Sequence, residues 1–564
     1  MKVRVTHKWI PWCSLFAITL SFGQVPGAGS LQKNIENTLR QTPLPINDAP
    51  QLSAIPEAKV LSGITFKLVK VIYTGNTLLT NAHIDSLIAP YLSKSLGFDQ
   101  LQTLANSIEK AYQKSGAIAR VVIPEQTIQG EILRITIEES KWGQVRVEGN
   151  TLRMSSEQIR QTIDAAQLGG ELVNLQSVQR GVLLASDLPG VKVNAIFSQS
   201  TEALTTDLIA VVSDTSLYVG NFTVDNTGPV SIGANRFVGN LGLNSPFGIG
   251  DLISLTYLWS EGSNYERIGY TLPVANSGLR AGVNASHMSY KLIAAQFEGL
   301  GATGASTSQG VEATYPLIRS HAINLYLGLN TDYRVFSNSN GSSGVISLYS
   351  VMDYSASLFL RTLDTLGGSG TNNLNVVVTD GNTDLAGSPN QATIAASSHA
   401  QGSFTKTRYS FNRTQDFDHP ALSVYASLSG QATGSNLDSS EMFYLGGVNG
   451  VRAYPANEGA GSQGELVTFE IKRILDPITN LTLFYDYGHI QVNPNDAYAL
   501  AGDMNSYSQK GAGLSVGIKP LPNVDLKAIW AKRLGTDSNL TSSGTYQNGT
   551  SGSAQVWLTA GIGF

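Results

Sequence analysis

From residue 217 to the C-terminus, apolar and polar residues alternate in short runs. Ile323, Leu325, Leu327 and Leu329 share one face against Asn324, Tyr326, Gly328 and Asn330. Leu279, Ala281, Val283 and Ala285 oppose Arg280, Gly282, Asn284 and Ser286. Val524, Leu526, Ala528 and Trp530 oppose Asp525, Lys527, Ile529, Ala531 and Arg533. A period of two with unlike faces predicts strands. Two architectures present such strands: a membrane barrel with lipid outside and water inside, or a soluble β-sandwich with its apolar face in a core. Alternation alone does not separate them.

Residues 64–213 are patterned differently and read as two copies of one small unit. "TFKLVKVIYTGNT" opens the first as a strand ending at a Gly-Asn turn. Phe98, Leu101, Leu104, Ala105, Ile108, Ala111 and Tyr112 then fall on one face of a helix, which Gly116 stops. "AIARVVIPEQTIQGEILRITIEES" supplies two closing strands. The second copy restarts with "WGQVRVEGNT", and "ELVNLQSVQRGVLLASDLPGVKV" repeats the helix-to-strand passage. Ahead of these units, residues 24–63 form a tether. Its first part is either a short helix with a stripe of Leu31, Ile35 and Leu39 or an unstructured arm, and "TPLPINDAPQLSAIPEA" is Pro-rich and extended. Whether residues 31–42 enter a barrel is left open by the pattern.

Composition decides between sandwich and barrel. Charged residues are only 14% of the 564-residue chain, and glycines number 57. The net charge of −5 offers no basic patch for a nucleic-acid partner. Lys2, Arg4 and Lys8 precede a short apolar stretch over 9–22 and then small residues, the layout of a secretory signal peptide cleaved between about 23 and 29. The single cysteine, Cys13, lies within it, so the mature chain has no thiol or disulfide chemistry. No other apolar run is long enough for a transmembrane helix. The last strand, "SAQVWLTAGIGF", lines up Val556, Leu558, Ala560, Ile562 and Phe564 on one face and stops on the aromatic. Signal peptide, missing cysteines and terminal strand together favour the outer-membrane barrel. About 350 residues at roughly 20 per strand and turn give about 16 antiparallel strands.

One stretch suggests other chemistry. "GAGSQG" over 459–464 is a literal G-x-G-x-x-G, but Val467, Phe469 and Ile471 alternate with Thr468, Glu470 and Lys472 directly after it. A nucleotide fingerprint needs a helix there, whose N-terminus holds the phosphates. The expectation is no enzyme, no cofactor and no metal site; the seven histidines are scattered, with His287 alone.

Two tandem β-α-α-β-β modules, the stretches "YQKSGAIARVVIPEQTIQGEILRITIEE" and "LLASDLPGVKV", and the loop "FYLGGVNGVRAYPANEGAGSQG" resemble two-partner secretion transporters (TpsB, the haemolysin and filamentous-haemagglutinin activator type). The modules would be POTRA domains; two generic α/β modules are the alternative. The resemblance implies an extracellular loop that folds back into the lumen and carries Val451, Arg452, Ala453 and Tyr454, where Ala453 replaces the usual glycine. It also implies a lumen strand motif of Phe484, Asp486 and Gly488, with Arg452 as partner of Asp486. In "LTLFYDYGHI", Leu481, Leu483, Tyr485 and Tyr487 would face lipid, and Thr482, Phe484 and Asp486 a hydrated lumen.

The expected map is therefore a signal peptide over 1–29, a helix and Pro-rich linker over 30–63, POTRA domains over 64–140 and 141–214 in the periplasm, and a transmembrane β-barrel over 215–564 with a lumen-folded loop at 439–464. The implied function is translocation of a secreted TpsA-type exoprotein (an adhesin, haemolysin or similar) across the cell outer membrane. Outer-membrane lipids and, during biogenesis, the barrel-assembly machinery reading Phe564 would be further partners. A general outer-membrane assembly factor and a passive porin are the alternatives. The first would carry a longer POTRA array, and the second would need no modules.

Overall fold

The computed structural model describes residues 25–39, 65–126, 131–341, 344–396, 398–417, 421–495, 504–537, 539–541 and 543–564. Residues 1–24 and 40–64, which hold most of the expected signal peptide and the Pro-rich linker, lie outside the described residues. A helix, α1 (Ala28–Leu39), starts just ahead of the linker's expected first residue.

The first α/β unit is a three-stranded sheet with two helices, α2 (Asn81–Ile88) and α3 (Phe98–Lys114), packed on it. Lys70–Thr74 runs parallel to Ile132–Glu139, which pairs antiparallel with Ala119–Val122. From Leu101 to Tyr112 the apolar stripe of α3 is buried against Leu133, Ile135 and Ile137, whereas Phe98, expected on the same face, stands exposed at the helix's first position. The opening strand is broken rather than continuous. Both Val69 and Lys70 donate to the Glu131 carbonyl, and Thr65–Leu68 leaves the sheet to pair with Lys94–Gly97. The second unit repeats the plan, with Lys141–Glu148 parallel to Thr205–Asp214, Val191–Gln199 antiparallel, and helices α4 (Ser156–Asp164) and α5 (Leu175–Ser186).

The two Gly-Asn turns share one device. Gly75 (φ +92°) and Gly149 (φ +107°) lie in the left-handed region, and a Cβ there would stand 2.1 Å from the Ile137 carbonyl oxygen and 2.3 Å from that of Val212. Only glycine fits. After each turn, a carboxylate from the end of the module's last strand gathers the free donors. Glu139 accepts from the amides of Thr77 (2.6 Å) and Leu78 (2.8 Å) and from the Thr77 hydroxyl. Asp214 accepts from the Thr151 hydroxyl (2.6 Å) and the amides of Leu152 (2.8 Å) and Arg153 (3.2 Å). Burial pushes both carboxyls up in pKa, but these donors more than reverse it and hold both below the ordinary carboxylate range.

The rest is a closed barrel of 16 strands, from Tyr218–Asp225 to Ala554–Gly563. Every neighbouring pair is antiparallel, so side chains alternate between wall faces as the period of two requires. Val283, Leu329, Leu483 and Leu558 are exposed on the outer face, while Ser306, Arg334, Lys406, Thr468 and Asp486 are buried on the inner one. No helix among the described residues is long and apolar enough to cross a membrane; the strands make the crossing. The second unit docks under the barrel rim. Arg319 grips Asp187 through two bonds of 2.8 Å, Arg180 donates to the Pro316 carbonyl (2.6 Å), and Gln158 to that of Ile249 (2.9 Å).

Because a side chain at either turn glycine meets backbone, Gly149→Ala is expected to destabilise the second module by about 1–3 kcal/mol. Hydrogen exchange of its sheet amides in the intact chain reads this out; unchanged protection contradicts it. Both carboxyls are depressed, so the stability they lend is present above the ordinary carboxylate pKa and is lost as pH falls through the lowered one. Acidification should therefore speed exchange first at residues 77–78 and 151–153.

Candidate functional site in the barrel lumen

Residues 434–462 connect Leu422–Thr433 to Gln463–Ile474 and fold into the barrel. Phe443–Tyr444 pairs with Ala460–Gly461 as a short ribbon, extended by bonds from the amides of Leu445 to Gly459 (2.8 Å) and Gly446 to Glu458 (2.7 Å). At its tip the chain doubles back tightly. The Val451 amide donates to the Leu445 carbonyl at 2.7 Å, and a Cβ on Gly450 would lie 1.7 Å from that same oxygen. Gly446 and Gly450 of "LGGVNG" are thus required by close backbone approach, and Gly447 by its positive φ of +116°. "GAGSQG" is no phosphate cradle, and no slack return either. Ala460 and Gly461 belong to the ribbon, Gln463 begins a barrel strand, and fully buried Ser462 accepts Gln431 Nε2 at 2.8 Å through its carbonyl.

The structure brings the two sequence motifs together. Arg452 Nε and Nη2 reach Asp486 Oδ2 and Oδ1 at 2.9 and 2.7 Å, a two-pronged grip, and the Arg452 amide adds a third bond to Oδ2 at 3.1 Å. The guanidinium lies 3.5 Å above the Phe484 ring. Gly488 leaves room for Leu445, whose Cδ2 would sit 2.5 Å from any Cβ there. Ala453 is fully buried, and its methyl rests on Gly511, the cross-strand partner of Asp486. Its φ is not in the left-handed region, so the alanine is accommodated without strain. Tyr454 packs edge-on against Tyr546 at 5.9 Å. Phe564 is not part of this cluster. It lies on the outer wall against Phe222, with ring centroids 5.4 Å apart.

Hydration differs from expectation. Asp486 is 0% and Arg452 6% exposed, so the pair is dry. Three residues that sequence reasoning missed help to make it so. Trp557 Nε1 on the last strand donates to the Arg452 carbonyl at 2.8 Å. Glu470 accepts Arg452 Nη1 at 2.6 Å, and the Thr468 hydroxyl donates to Asp486 at 3.1 Å. Glu470 and Thr468 were visible only as the polar side of an alternating strand. Trp557 carried a signal, as a large aromatic on the inward face of the terminal strand among Gln555, Thr559 and Gly561.

The lumen has a second occupant. Helix α1 lies inside the barrel, with Ala28, Leu31 and Ile35 fully buried among Tyr265, Met288, Tyr290, Phe336 and Tyr349 of the wall and Leu437 and Met442 of the loop. The expected water-filled interior is here a packed core. The Ala28 amide donates to Asn338 Oδ1 at 2.7 Å. A Cβ on Gly29 would stand 2.6 Å from the Tyr349 hydroxyl and 2.9 Å from Ser440 Cβ, so helix, wall and loop touch there. The polar side of α1 is buried too. Lys33 lies within electrostatic reach of Glu441, which pairs with Arg334 (2.5 Å) and Lys406; Arg334 also pairs with Asp353.

Comparison with known proteins agrees with this arrangement. The profile of the haemolysin secretion/activation protein family ShlB/FhaC/HecB matches residues 205–519, and that of the ShlB-type POTRA domain matches residues 66–140. The heme/hemopexin transporter protein HuxB of Haemophilus influenzae is 22% identical over 96% of this chain and 98% of its own. Among solved structures, CdiB from Escherichia coli superposes with a TM-score of 0.68 at 19% identity, covering 96% of this chain and 99% of that one. BamA from Haemophilus ducreyi lacking POTRA domains 1–3 gives 0.54 at 14% identity over 89% of this chain and 100% of that one, a likeness of fold alone.

Arg452→Ala would strand Asp486 in a dry site, a loss of about 3–5 kcal/mol at the loop's attachment. The barrel should still fold, with heat-modifiable mobility retained, while protease cleavage within 439–464 rises sharply. Arg452→Lys should restore only part of the protection, because an ammonium cannot make the two-pronged grip. Cleavage equal to wild type in both variants would show that the loop is held elsewhere.

Proposed function

The chain belongs to the ShlB/FhaC/HecB family of haemolysin secretion/activation proteins, and we propose how its parts divide that family's work. It is an outer-membrane transporter that moves a partner exoprotein from the periplasm to the cell surface, with its POTRA modules on the periplasmic side. In our reading, client capture falls to the modules. Each ends in an edge strand, Ala119–Val122 in the first and Val191–Gln199 in the second, to which an extended chain adds as a further strand once the Glu109 bond to the Val121 amide and the Ser186 bond to the Val193 carbonyl give way. Main-chain bonds supply affinity, and side-chain contacts supply choice of client.

The observation that carries the rest is the division of the lumen between two occupants fixed in different ways. The loop belongs to the wall and is pinned by Arg452 to Asp486. Helix α1 is joined to the first module by residues 40–64 and sits in the lumen on an apolar stripe, on the bond from the Ala28 amide to Asn338, and on charges shared with Glu441. We assign α1 as a removable plug: its departure opens the passage and leaves the loop anchored beside it. Val451, Arg452, Ala453 and Tyr454 serve as the anchor, with Phe484, Asp486 and Gly488 as its seat. Phe564 serves biogenesis, as the end of the strand that the barrel-assembly machinery reads. The periplasm holds no ATP, so folding of the client outside the cell supplies the drive. A porin has no use for the modules, and the likeness to BamA is one of fold, so neither alternative competes.

The test is co-expression with a candidate TpsA-type exoprotein. Full-length chain should export it, and a chain lacking 65–139 should build the barrel yet export none; retained export would place capture outside the modules. The plug makes a separate prediction. Gly29→Leu cannot seat against Tyr349 and Ser440, so it should raise single-channel conductance in planar bilayers, and deletion of 28–39 should raise it several-fold. Conductance equal to wild type in the deletion would refute the plug.

A further inference from the structure

A lone exposed leucine on a soluble domain is unremarkable. Leu152 is not in that situation. It is 90% exposed, on a turn that the Asp214 carboxylate holds rigid. That turn is also fixed to the barrel. Ser245 Oγ donates to the Arg153 carbonyl at 2.7 Å, Met154 forms a bridge with Ile249, and Asn244 donates to Leu217, just after the strand that ends in Asp214. Next to Ser245 the barrel presents Phe247, 68% exposed, its ring edge-on to Tyr270 at 6.1 Å. Tyr270 faces outward, because its cross-strand partner Val283 belongs to the lipid-facing side. The pattern continues around the same rim: Leu366, Leu475, Leu521 and Phe564 are exposed at the other periplasmic ends of the wall.

We propose that Leu152 extends this apolar rim, so that the second POTRA module dips its Thr151–Arg153 turn into the periplasmic leaflet of the outer membrane beside Phe247. The occupant follows from continuity. The barrel's lipid-facing surface is covered by acyl chains, Phe247 prolongs that surface below the wall, and the bonds of Arg153 and Met154 to Ser245 and Ile249 bring the Leu152 turn to the same periplasmic loop. Apolar side chains at such a boundary partition into the headgroup and acyl region. The module is then held on two supports, the barrel rim through Asp187 and Arg319 and the lipid through Leu152. Its orientation toward the lumen mouth is fixed in the membrane and freer in detergent.

The test uses the complete barrel-and-module protein in vesicles of phosphatidylethanolamine and phosphatidylglycerol. Cys13 is exchanged for serine where the leader is retained. Leu152→Cys carries a bimane label. Leu204→Cys, at the opposite end of the same sheet, is the control. Lipids spin-labelled near the headgroup should quench the label at 152 roughly threefold more than at 204, and aqueous iodide should do the reverse. Iodide quenching of both positions, with no lipid quenching at 152, overturns the proposal. A label at 152 shielded from both quenchers also overturns it, because the turn would then be covered by protein, such as a second copy of the chain or a bound client.

Discussion

A dry ion pair organises this lumen. Burying a carboxylate and a guanidinium costs several kcal/mol of hydration for each, and their mutual attraction offsets that only when the geometry is good and the remaining donors and acceptors are satisfied. Here they are satisfied. Asp486 takes two bonds from the guanidinium, one from the Arg452 amide and one from Thr468, and the spare nitrogen of Arg452 goes to Glu470. Such a pair contributes little net stability over an apolar substitute. It contributes direction. A loop built on "LGGVNG" could fold against the wall in many ways, and a two-pronged bond fixes both distance and angle at one point. The ribbon, the knot at its tip and the seat of Ala453 on Gly511 all follow from that point.

The two occupants of the lumen divide it by wall as well as by chemistry. The anchor touches the strands Gln463–Ile474, Thr479–Gln491 and Ala554–Gly563. Helix α1 lies against Arg280–Lys291, Thr303–Arg319 and Ile323–Asn340, across the barrel. Its contacts there are of a different kind: an apolar stripe, a glycine pressed on Tyr349 and Ser440, and charges shared among Lys33, Glu441, Lys406 and Arg334. Charges that share partners can be re-paired or hydrated once the helix leaves, because Glu441 keeps both cations. At the anchor, Asp486 is held by Arg452 and Thr468, and Arg452 has a second carboxylate in Glu470.

Much of this was legible in the sequence because it rests on local rules. The period of two gave strands whose faces are those observed, and the α3 stripe from Leu101 to Tyr112 is the core of the first module. The two Gly-Asn turns announced the repeat, since only glycine fits where a Cβ meets a carbonyl oxygen. The Arg452 and Asp486 contact was reachable only through the resemblance; nothing in spacing joins residues 34 positions apart on different elements. What was not legible is the filling of the lumen. An inward polar face looks the same in sequence whether it meets water, a helix or a loop. Hence Trp557, Glu470 and the burial of Lys33 and Glu36 went unseen, and the pair was expected to be wet.

The same ambiguity explains why lumen chemistry must be polar even where it is packed. The seat of α1 is mixed: its apolar stripe packs on Tyr265, Met288, Phe336 and Tyr349, while Lys33, Arg334 and Lys406 gather around Glu441. Ser306, Ser308, Thr379, Lys406 and Arg334 are buried now, yet each is a group that water can satisfy. In the proposed plug mechanism, the wall opposite the anchor serves two states with one set of side chains. With α1 in place, Lys406 and Arg334 pair with Glu441 and Thr379 bonds to Ser355. If α1 leaves as proposed, these groups are open to water beside the aromatic residues Tyr265, Tyr290, Phe336 and Tyr349 that its stripe had covered. The two-pronged grip of Arg452 on Asp486 lies across the barrel from helix α1.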